Sequence, residues 1–208
     1  MSTPIRILVA DDHPPVRDGL ASILNAQPDL TVVAEAGTGR ETVERFKVTT
    51  PDVVIVDLRM PDGDGIQTIR DLMAINPAAK TLVLTTYDTE EDIFNALEAG
   101  ARGYILKDTT REEIIEAVRQ IHAGNRFLPP AIASRLADRV IRPTLTPREL
   151  DVLRLVSRGR TNKEIAVAIF VSEETVKSHM KGLFQKLNAH DRAEAVGIAL
   201  QRGLLRLE

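Results

Sequence analysis

The sequence predicts an α/β doubly wound, five-stranded parallel sheet followed by an all-α domain of four helices. Three observations predict this two-part fold. The first 124 residues alternate five short apolar runs with longer amphipathic stretches, the later part shows only helical patterns, and the two parts differ in the sign of their charge. The apolar runs are continuous rather than alternating, which is typical of strands buried on both faces of a parallel sheet.

The predicted elements of the first part form five βα units. Gly100 and Gly124 are stop signals for two of the helices, and Thr110 with Glu113 has the spacing of a capping box that opens the fifth helix. The predicted strands are residues 5–10, 31–34, 53–56, 81–84 and 103–106, and the predicted helices are residues 15–26, 40–47, 64–75, 90–99 and 111–122.

Composition and charge exclude several classes of protein. The 208 residues contain no cysteine, which excludes disulfide scaffolds, zinc–cysteine sites and thiol nucleophiles. No secretory leader is recognised and no apolar run approaches ~18 residues, so we expect no membrane partner. Residues 1–125 carry 12 Lys/Arg and 21 Asp/Glu, a net charge of −9, whereas residues 126–208 carry 15 and 9, a net charge of +6. The basic part therefore indicates a nucleic-acid partner.

Five polar residues follow the predicted strands at the edge of the sheet where ligands bind in such folds. Asp11 and Asp12 follow the first strand, Asp57 the third, Thr85 the fourth and Lys107 the fifth. Clustered carboxylates favour a hard divalent cation, and oxygen ligands favour Mg²⁺. A carboxylate beside Mg²⁺ can attack phosphorus, with the lysine and the hydroxyl contacting phosphoryl oxygens. The alternative is five unrelated polar residues in strand-end loops.

These residues, with Val-Asp-Leu-Arg-Met-Pro-Asp-Gly-Asp-Gly around Asp57, resemble a response-regulator receiver domain of flavodoxin-like fold. The resemblance covers residues 4–124. It implies that Asp57 accepts a phosphoryl group from a sensor histidine kinase. It also implies that Mg²⁺ is held by the side chains of Asp11, Asp12 and Asp57 and by the backbone carbonyl of Arg59.

Three further roles are implied by the same resemblance. Thr85 and Lys107 would read the phosphoryl group and couple it to rearrangement of the face made by the fourth helix and the fifth strand. Tyr104 stands at the aromatic switch position of the family, although an ordinary strand aromatic packed on the fourth helix is an equal alternative. The chemistry is then confined to Asp57 itself, and we do not expect an enzyme that acts on external substrates.

The remainder of the chain is predicted as a linker and a helical domain. Residues 125–143 form a linker with a short helix at 131–140, and residues 144–208 form the domain. Two capping boxes, Thr146 with Glu149 and Thr161 with Glu164, open the first two helices of the domain, and Ser172 caps the third. Two short helices joined by a tight turn, with the second one longer, indicate a helix-turn-helix. The predicted helices begin at 147, 163, 173 and 192 and end near 157, 169, 187 and 202.

The third helix of this domain has two contrasting faces. Its apolar stripe packs inward and its polar face favours DNA, although a solvated surface is the alternative for any lysine-bearing face. The stripe comprises Val176, Met180, Leu183, Phe184 and Leu187, and the polar face comprises Lys177, Ser178, Lys181 and Gln185.

The segments Leu-Thr-Pro-Arg-Glu-Leu, Gly-Arg-Thr-Asn-Lys-Glu-Ile-Ala and Val-Ser-Glu-Glu-Thr-Val-Lys-Ser-His are similar to the LuxR-type helix-turn-helix. With the first part, they resemble the NarL/FixJ subfamily of response regulators. The resemblance implies a bacterial, cytoplasmic transcription regulator that forms a homodimer through its last helix when activated. The implied DNA-facing residues are Thr175, Lys177, Ser178, His179 and Lys181, with phosphate anchors at Thr161, Asn162 and Lys163.

Two other functions fit part of the pattern. One is a regulator that binds DNA without phosphorylation and uses its first domain as a dimerisation module. The other is a Mg²⁺-dependent phosphatase or phosphotransferase. Leu58 and Arg59 follow Asp57, so no second acid stands two residues on to serve an incoming substrate.

Overall fold

The computed structural model describes residues 3–61 and 63–205, with the backbone alone described for Gly63 and Asp64. The chain divides into two compact units. The first, the α/β unit, comprises the chain up to Asp88 together with Asp92–Ser134, and the second, the helical unit, comprises Thr89–Glu91 and the chain from Arg135. No helix among the described residues is long and apolar enough to cross a membrane.

The α/β unit is built on a five-stranded, all-parallel sheet of order β2-β1-β3-β6-β7. A two-stranded antiparallel ribbon, β4-β5, follows β3. The strands are β1 (Ile5–Ala10), β2 (Leu30–Ala36), β3 (Val53–Val56), β4 (Arg59–Met60), β5 (Gly63–Asp64), β6 (Thr81–Thr85) and β7 (Gly103–Leu106). The helices are α1 (Pro14–Asn25), α2 (Gly39–Thr49), α3 (Gly65–Ile75), α4 (Glu90–Glu98) and α5 (Arg111–His122).

The predicted fold of this part is confirmed, and most predicted ends agree within two residues. The ribbon β4-β5 was not predicted because strands of two residues have no periodicity to detect. The capping box predicted for α5 is only half formed. Thr110 accepts a hydrogen bond from the Glu113 amide, but the Glu113 carboxylate accepts one from the Thr109 hydroxyl rather than from the Thr110 amide.

The sheet is covered on both faces, which explains the continuous apolar runs. In β1, Ile7 and Val9 point to one face and Leu8 and Ala10 to the other, and all four are buried. Burial of an isoleucine, leucine or valine side chain contributes about 1.5–3 kcal/mol. On one face the apolar residues of α1 and α5 complete the core, and on the other those of α2 and α3 do so.

The helical unit contains the predicted helices of the second domain. The capping boxes at Thr146 and Thr161 are complete, and Ser172 caps the third helix of the domain as predicted. The predicted end of that helix is also confirmed, because Asn188 adopts the left-handed conformation at φ 57°. The linker helix is α6 (Pro130–Ile141), and the helices after it are α7 (Pro147–Ser157), α8 (Asn162–Ala168), α9 (Glu173–Leu187) and α10 (Arg192–Arg202).

The core of this unit forms along the predicted stripe of α9. Val176, Met180, Leu183 and Leu187 are buried, and Phe184 is half-buried against the same clusters. An unpredicted feature is Phe170, in the turn between α8 and α9. The residue is 94% exposed and its φ is +59°, a conformation that residues other than Gly and Asn adopt at a cost.

Candidate functional site

The candidate site lies where β1 and β3 end side by side. The last residues of the two strands, Ala10 and Val56, are paired, so Asp11 and Asp57 follow at the same level. The Asp57 amide donates to the Ala10 carbonyl at 2.8 Å. Both carboxylates are buried, with 2% and 4% of each residue exposed. Since the chain turns to β2 on one side of β1 and to β3 on the other, this is the position at which doubly wound folds bind ligands.

Gly65 allows the first turn of α3 to lie directly against this strand end. A Cβ at Gly65 would lie 2.2 Å from the Asp57 carbonyl oxygen and 2.7 Å from the Leu58 Cα. Both atoms belong to the backbone, which cannot move aside cheaply. The glycine therefore permits the close approach that fixes the loop after Asp57.

Lys107, which follows β7, connects the two carboxylates. Its Nζ lies 2.6 Å from Asp57 Oδ2 and 2.6 Å from Asp11 Oδ2. Burial alone would lower the pKa of Lys107, but hydrogen bonds to Asp11 and Asp57 outweigh burial and raise it. The lysine is thus a cation held between the two carboxylates by charged hydrogen bonds.

The carboxylates also form a set that fits a divalent cation. One ligand atom each from Asp11, Asp12, His13 and Asp57 lies within 4.8 Å of all the others. Asp12 Oδ1 is buried and accepts no hydrogen bond from the described residues, although His13 Nδ1 is only 2.6 Å away. An oxygen in this situation suits a hard cation such as Mg²⁺. His13 was not among the predicted site residues, and its place directly after the acidic pair was the available signal.

Thr85 is the last residue of β6, and Tyr104 lies within the neighbouring strand β7. Thr85 is fully buried, and its Oγ1 lies 3.5 Å from the Tyr87 amide. Tyr104 is also fully buried, and its hydroxyl donates to the Tyr87 carbonyl at 2.7 Å. Burial raises the pKa of Tyr104, and the charge of Asp92 raises it further. The ring of Tyr104 is thus tied to the loop between β6 and α4.

Arg59 contributes more to this region than its carbonyl. Its amide lies 3.3 Å from Asp57 Oδ1, while its guanidinium donates to both oxygens of Asp92 at 3.2 and 3.3 Å. The same guanidinium lies 4.4 Å from the centre of the Tyr87 ring, a cation–π distance. The side-chain contacts of Arg59 were not predicted, because Asp92 is 33 positions away in the sequence.

The helical unit presents the residues predicted to face DNA. Lys177, Ser178 and Lys181 are exposed on α9, as are Thr161 and Lys163 at the start of α8, whereas Thr175, His179 and Asn162 are half-buried. The Thr161 hydroxyl caps α8, and Lys177 Nζ lies 3.3 Å from Glu174.

Several of these residues line one groove of about 710 Å³. Asn162, Lys177 and Lys181 lie along it, together with His190 and Arg192, which were not predicted as part of this surface. Arg192 donates to the Arg160 carbonyl at 2.7 Å and to the side-chain oxygen of Asn162. Because a guanidinium only donates, the Asn162 amide nitrogen is turned away from Arg192 and is available as a donor.

Two families match the chain. The family described as "Response regulator receiver domain" matches residues 7–119. The family described as "Bacterial regulatory proteins, luxR family" matches residues 143–199. The chain is 40% identical to the uncharacterized transcriptional regulatory protein YxjL of Bacillus subtilis (strain 168), over 97% of this chain and 98% of YxjL.

Solved structures show the same similarity. The response regulator ChrA, from a heme-sensing two-component system, is 41% identical over 98% of this chain and 100% of ChrA, with a TM-score of 0.58. RcsB from Salmonella enterica serovar Typhimurium, bound to promoter P1flhDC in the presence of the phosphomimetic BeF₃⁻, is 26% identical, with a TM-score of 0.75 over 97% of this chain and 100% of RcsB. All three similarities extend over both units.

Proposed function

The chain belongs to the two-component response regulators that join a receiver domain to a LuxR-type DNA-binding domain, and from that premise we propose how it is switched. A sensor histidine kinase phosphorylates Asp57, and the phosphorylated chain forms a homodimer that binds double-stranded DNA and regulates transcription. The proposal rests on one observation above all. The buried carboxylate of Asp57 lies beside Lys107 and Asp11 in a chain whose other unit exposes basic residues on α9. The proposed domains are residues 1–124, 125–143 as linker, and 144–208.

The proposed reaction is transfer of one phosphoryl group. A carboxylate oxygen of Asp57 forms a bond to phosphorus, the bond from phosphorus to the donor imidazole nitrogen breaks, and its electron pair returns to that imidazole. Lys107 Nζ lies at hydrogen-bond distance from Asp57 and neutralises charge on the transferred oxygens. Thr85 donates its hydroxyl proton as a hydrogen bond to one of these oxygens.

We assign the Mg²⁺ of this reaction to the side chains of Asp11, Asp12 and Asp57 and to the carbonyl of Arg59. The buried, unsatisfied Asp12 oxygen supports the assignment. When bound, Mg²⁺ supplies positive charge that offsets repulsion between the carboxylates and the incoming phosphoryl oxygens. The chemistry of the chain is thereby restricted to formation and hydrolysis of its own acyl phosphate.

The proposed DNA interface is the outer face of α9 with the start of α8. Lys177, Ser178 and Lys181 lie on the exposed side of the second helix of the helix-turn-helix, which enters the major groove in this motif. Thr175 and His179 flank this face. Phosphate oxygens are contacted by Thr161, Asn162 and Lys163, with the Asn162 amide oriented by Arg192.

Dimer formation and the cellular compartment follow from the same proposal. Two copies paired through α10 would place their α9 helices about one helical turn of DNA apart. The complex of RcsB with promoter DNA and a phosphomimetic supports this use of the fold. A regulator that meets chromosomal DNA in a bacterium works in the cytoplasm.

Intact-mass measurement after incubation with acetyl phosphate and Mg²⁺ tests the site. We expect one phosphoryl adduct on the wild-type chain and none on Asp57→Ala. Asp71→Ala, which removes an exposed carboxylate from α3, is the matched control and should keep the adduct. An adduct that persists on Asp57→Ala would overturn the assignment.

A further inference from the structure

We propose that the Arg59 guanidinium is a reserve ligand for the phosphoryl group on Asp57, and that Asp92 holds it away from the site until that group arrives. The movement of Arg59 from Asp92 to the phosphoryl oxygens then releases α4 and the loop that precedes it. This inference rests on the proposed phosphorylation of Asp57. The inference adds a ligand for the phosphoryl group and a set of contacts through which phosphorylation affects α4.

The first support is the place of Arg59 between two acids. Its backbone amide contacts Asp57, so the residue cannot move far from the phosphorylation site, while its guanidinium pairs with both oxygens of Asp92. Asp92 lies in the first turns of α4 and is only 3% exposed. One arginine therefore connects the loop after β3 to a buried position on the helix.

The second support is the unsatisfied nitrogen of the same side chain. Arg59 Nε is buried and has no hydrogen-bond partner among the described residues. Both contacts with Asp92 come from a single nitrogen, NH2, at 3.2 and 3.3 Å, which is longer than the best charged hydrogen bonds. The guanidinium is thus held by an imperfect arrangement and retains a donor that a better acceptor would satisfy.

A phosphoryl group is that better acceptor. It carries about 1.5 to 2 negative charges and three strong acceptor oxygens, against one charge on Asp92. Arginine binds phosphate through two parallel N–H donors, a geometry that would use Nε together with a terminal nitrogen. The phosphoryl group on Asp57 would therefore compete with the Asp92 carboxylate for the Arg59 guanidinium.

Release of Arg59 would change the contacts of the aromatic residues beside it. The guanidinium lies over the Tyr87 ring, and the Tyr87 carbonyl accepts the hydrogen bond of buried Tyr104. Loss of the cation from this ring frees the segment between β6 and α4. The chain has two tyrosines and no tryptophan, so its tyrosine fluorescence reports on Tyr87 in this segment and on Tyr104 in β7.

The test is a titration of the full chain with beryllofluoride in the presence of Mg²⁺, followed by tyrosine fluorescence and by fluorine NMR of the bound group. The variants are Asp92→Asn, Arg59→Met and the double variant. The matched control is Asp29→Asn, because Asp29 forms a two-bond pair with Arg119 at 2.8 Å elsewhere in the same unit. Circular dichroism checks that each variant is folded.

We expect Asp92→Asn to bind beryllofluoride on the order of ten-fold more tightly than wild type, since a charged hydrogen bond no longer competes. Arg59→Met should bind it about ten-fold more weakly. The double variant should match Arg59→Met, because the proposal assigns the effect of Asp92 on the phosphoryl site to its pair with Arg59. Asp29→Asn should match wild type.

Equal affinities of wild type and Asp92→Asn would overturn the reserve role of Arg59. So would a double variant that binds more tightly than Arg59→Met. A wild-type chain that binds no beryllofluoride at all contradicts the proposed phosphorylation itself, which separates the two failures.

Discussion

We expect the buried carboxylate of Glu149 to contribute substantially to the stability of the helical unit. Its Oε2 accepts hydrogen bonds from the Thr146 amide at 2.7 Å, the Thr146 hydroxyl at 3.0 Å and Lys186 Nζ at 2.8 Å. The carboxylate also lies against α9, where a Cβ at Gly182 would be 2.7 Å from Oε1. One buried group therefore caps α7 and joins it to α9.

The perturbation is Glu149→Gln, which keeps the size of the side chain and removes its charge. Hydrogen bonds to a charged group contribute about 1.5–3 kcal/mol, so we expect the free energy of unfolding of this unit to fall by about 2 kcal/mol. Glu164→Gln is the matched control. Glu164 makes the same contacts with Thr161, at 2.8 and 2.9 Å, but its side chain is 49% exposed and its remaining partner is an exposed arginine. Its loss should be much smaller.

The pH dependence gives a second signature. Burial alone would raise the pKa of Glu149, but hydrogen bonds from Lys186 and Thr146 outweigh burial and lower it from its usual value of 4.5. Its contribution is therefore present above that value and is lost as the pH falls through the lower pKa of the folded state. Urea unfolding is measured at pH values from 3 to 7 in steps of ~0.5 unit. It gives both the loss of unfolding free energy at neutral pH and the dependence of that loss on pH. Equal losses for Glu149→Gln and Glu164→Gln at neutral pH would refute the reasoning.

Three further predictions address the phosphorylation site, the proposed DNA interface and the turn between α8 and α9. Lys107→Ala should reduce the rate of adduct formation with acetyl phosphate roughly 100-fold, because a charge-stabilising donor is removed; an unchanged rate would exclude the lysine from the reaction. Lys181→Ala should lower the slope of log affinity against log salt by about 1, as expected for one lost phosphate contact; wild-type affinity and slope would remove Lys181 from the interface. Phe170→Gly should raise the free energy of unfolding of the helical unit by about 0.5–1 kcal/mol, since relief of the left-handed strain exceeds the entropic cost of glycine; a loss of stability would mean that the exposed ring is held by contacts.

The residues that the sequence predicted for the α/β unit share a geometric origin. Asp11, Asp57 and Lys107 each directly follow the last residue of a parallel strand, and the carboxyl ends of parallel strands lie at one edge of the sheet. The strand pattern and the turn signals were therefore sufficient to predict that these three residues lie close together. The continuous apolar runs predicted that the strands are buried on both faces, as the apolar clusters on either side of the sheet require.

Contacts between side chains that are far apart in the sequence could not be predicted. The pairs Arg59–Asp92 and Arg192–Asn162 join segments that no local pattern relates, and both depend on where long side chains turn. The ribbon β4-β5 is too short to have a period. Phe170 occupies a left-handed turn position where Gly or Asn is the usual signal, so its conformation was not predicted.

The central claim is that phosphorylation of Asp57 controls binding to DNA. Its most direct measurement is selection of genomic fragments by the full chain, with and without acetyl phosphate and Mg²⁺, for wild type and Asp57→Ala. The account predicts that fragments with paired half-sites are enriched by phosphorylated wild type alone. Equal enrichment of the same fragments by Asp57→Ala, or by wild type without the phosphodonor, would contradict it.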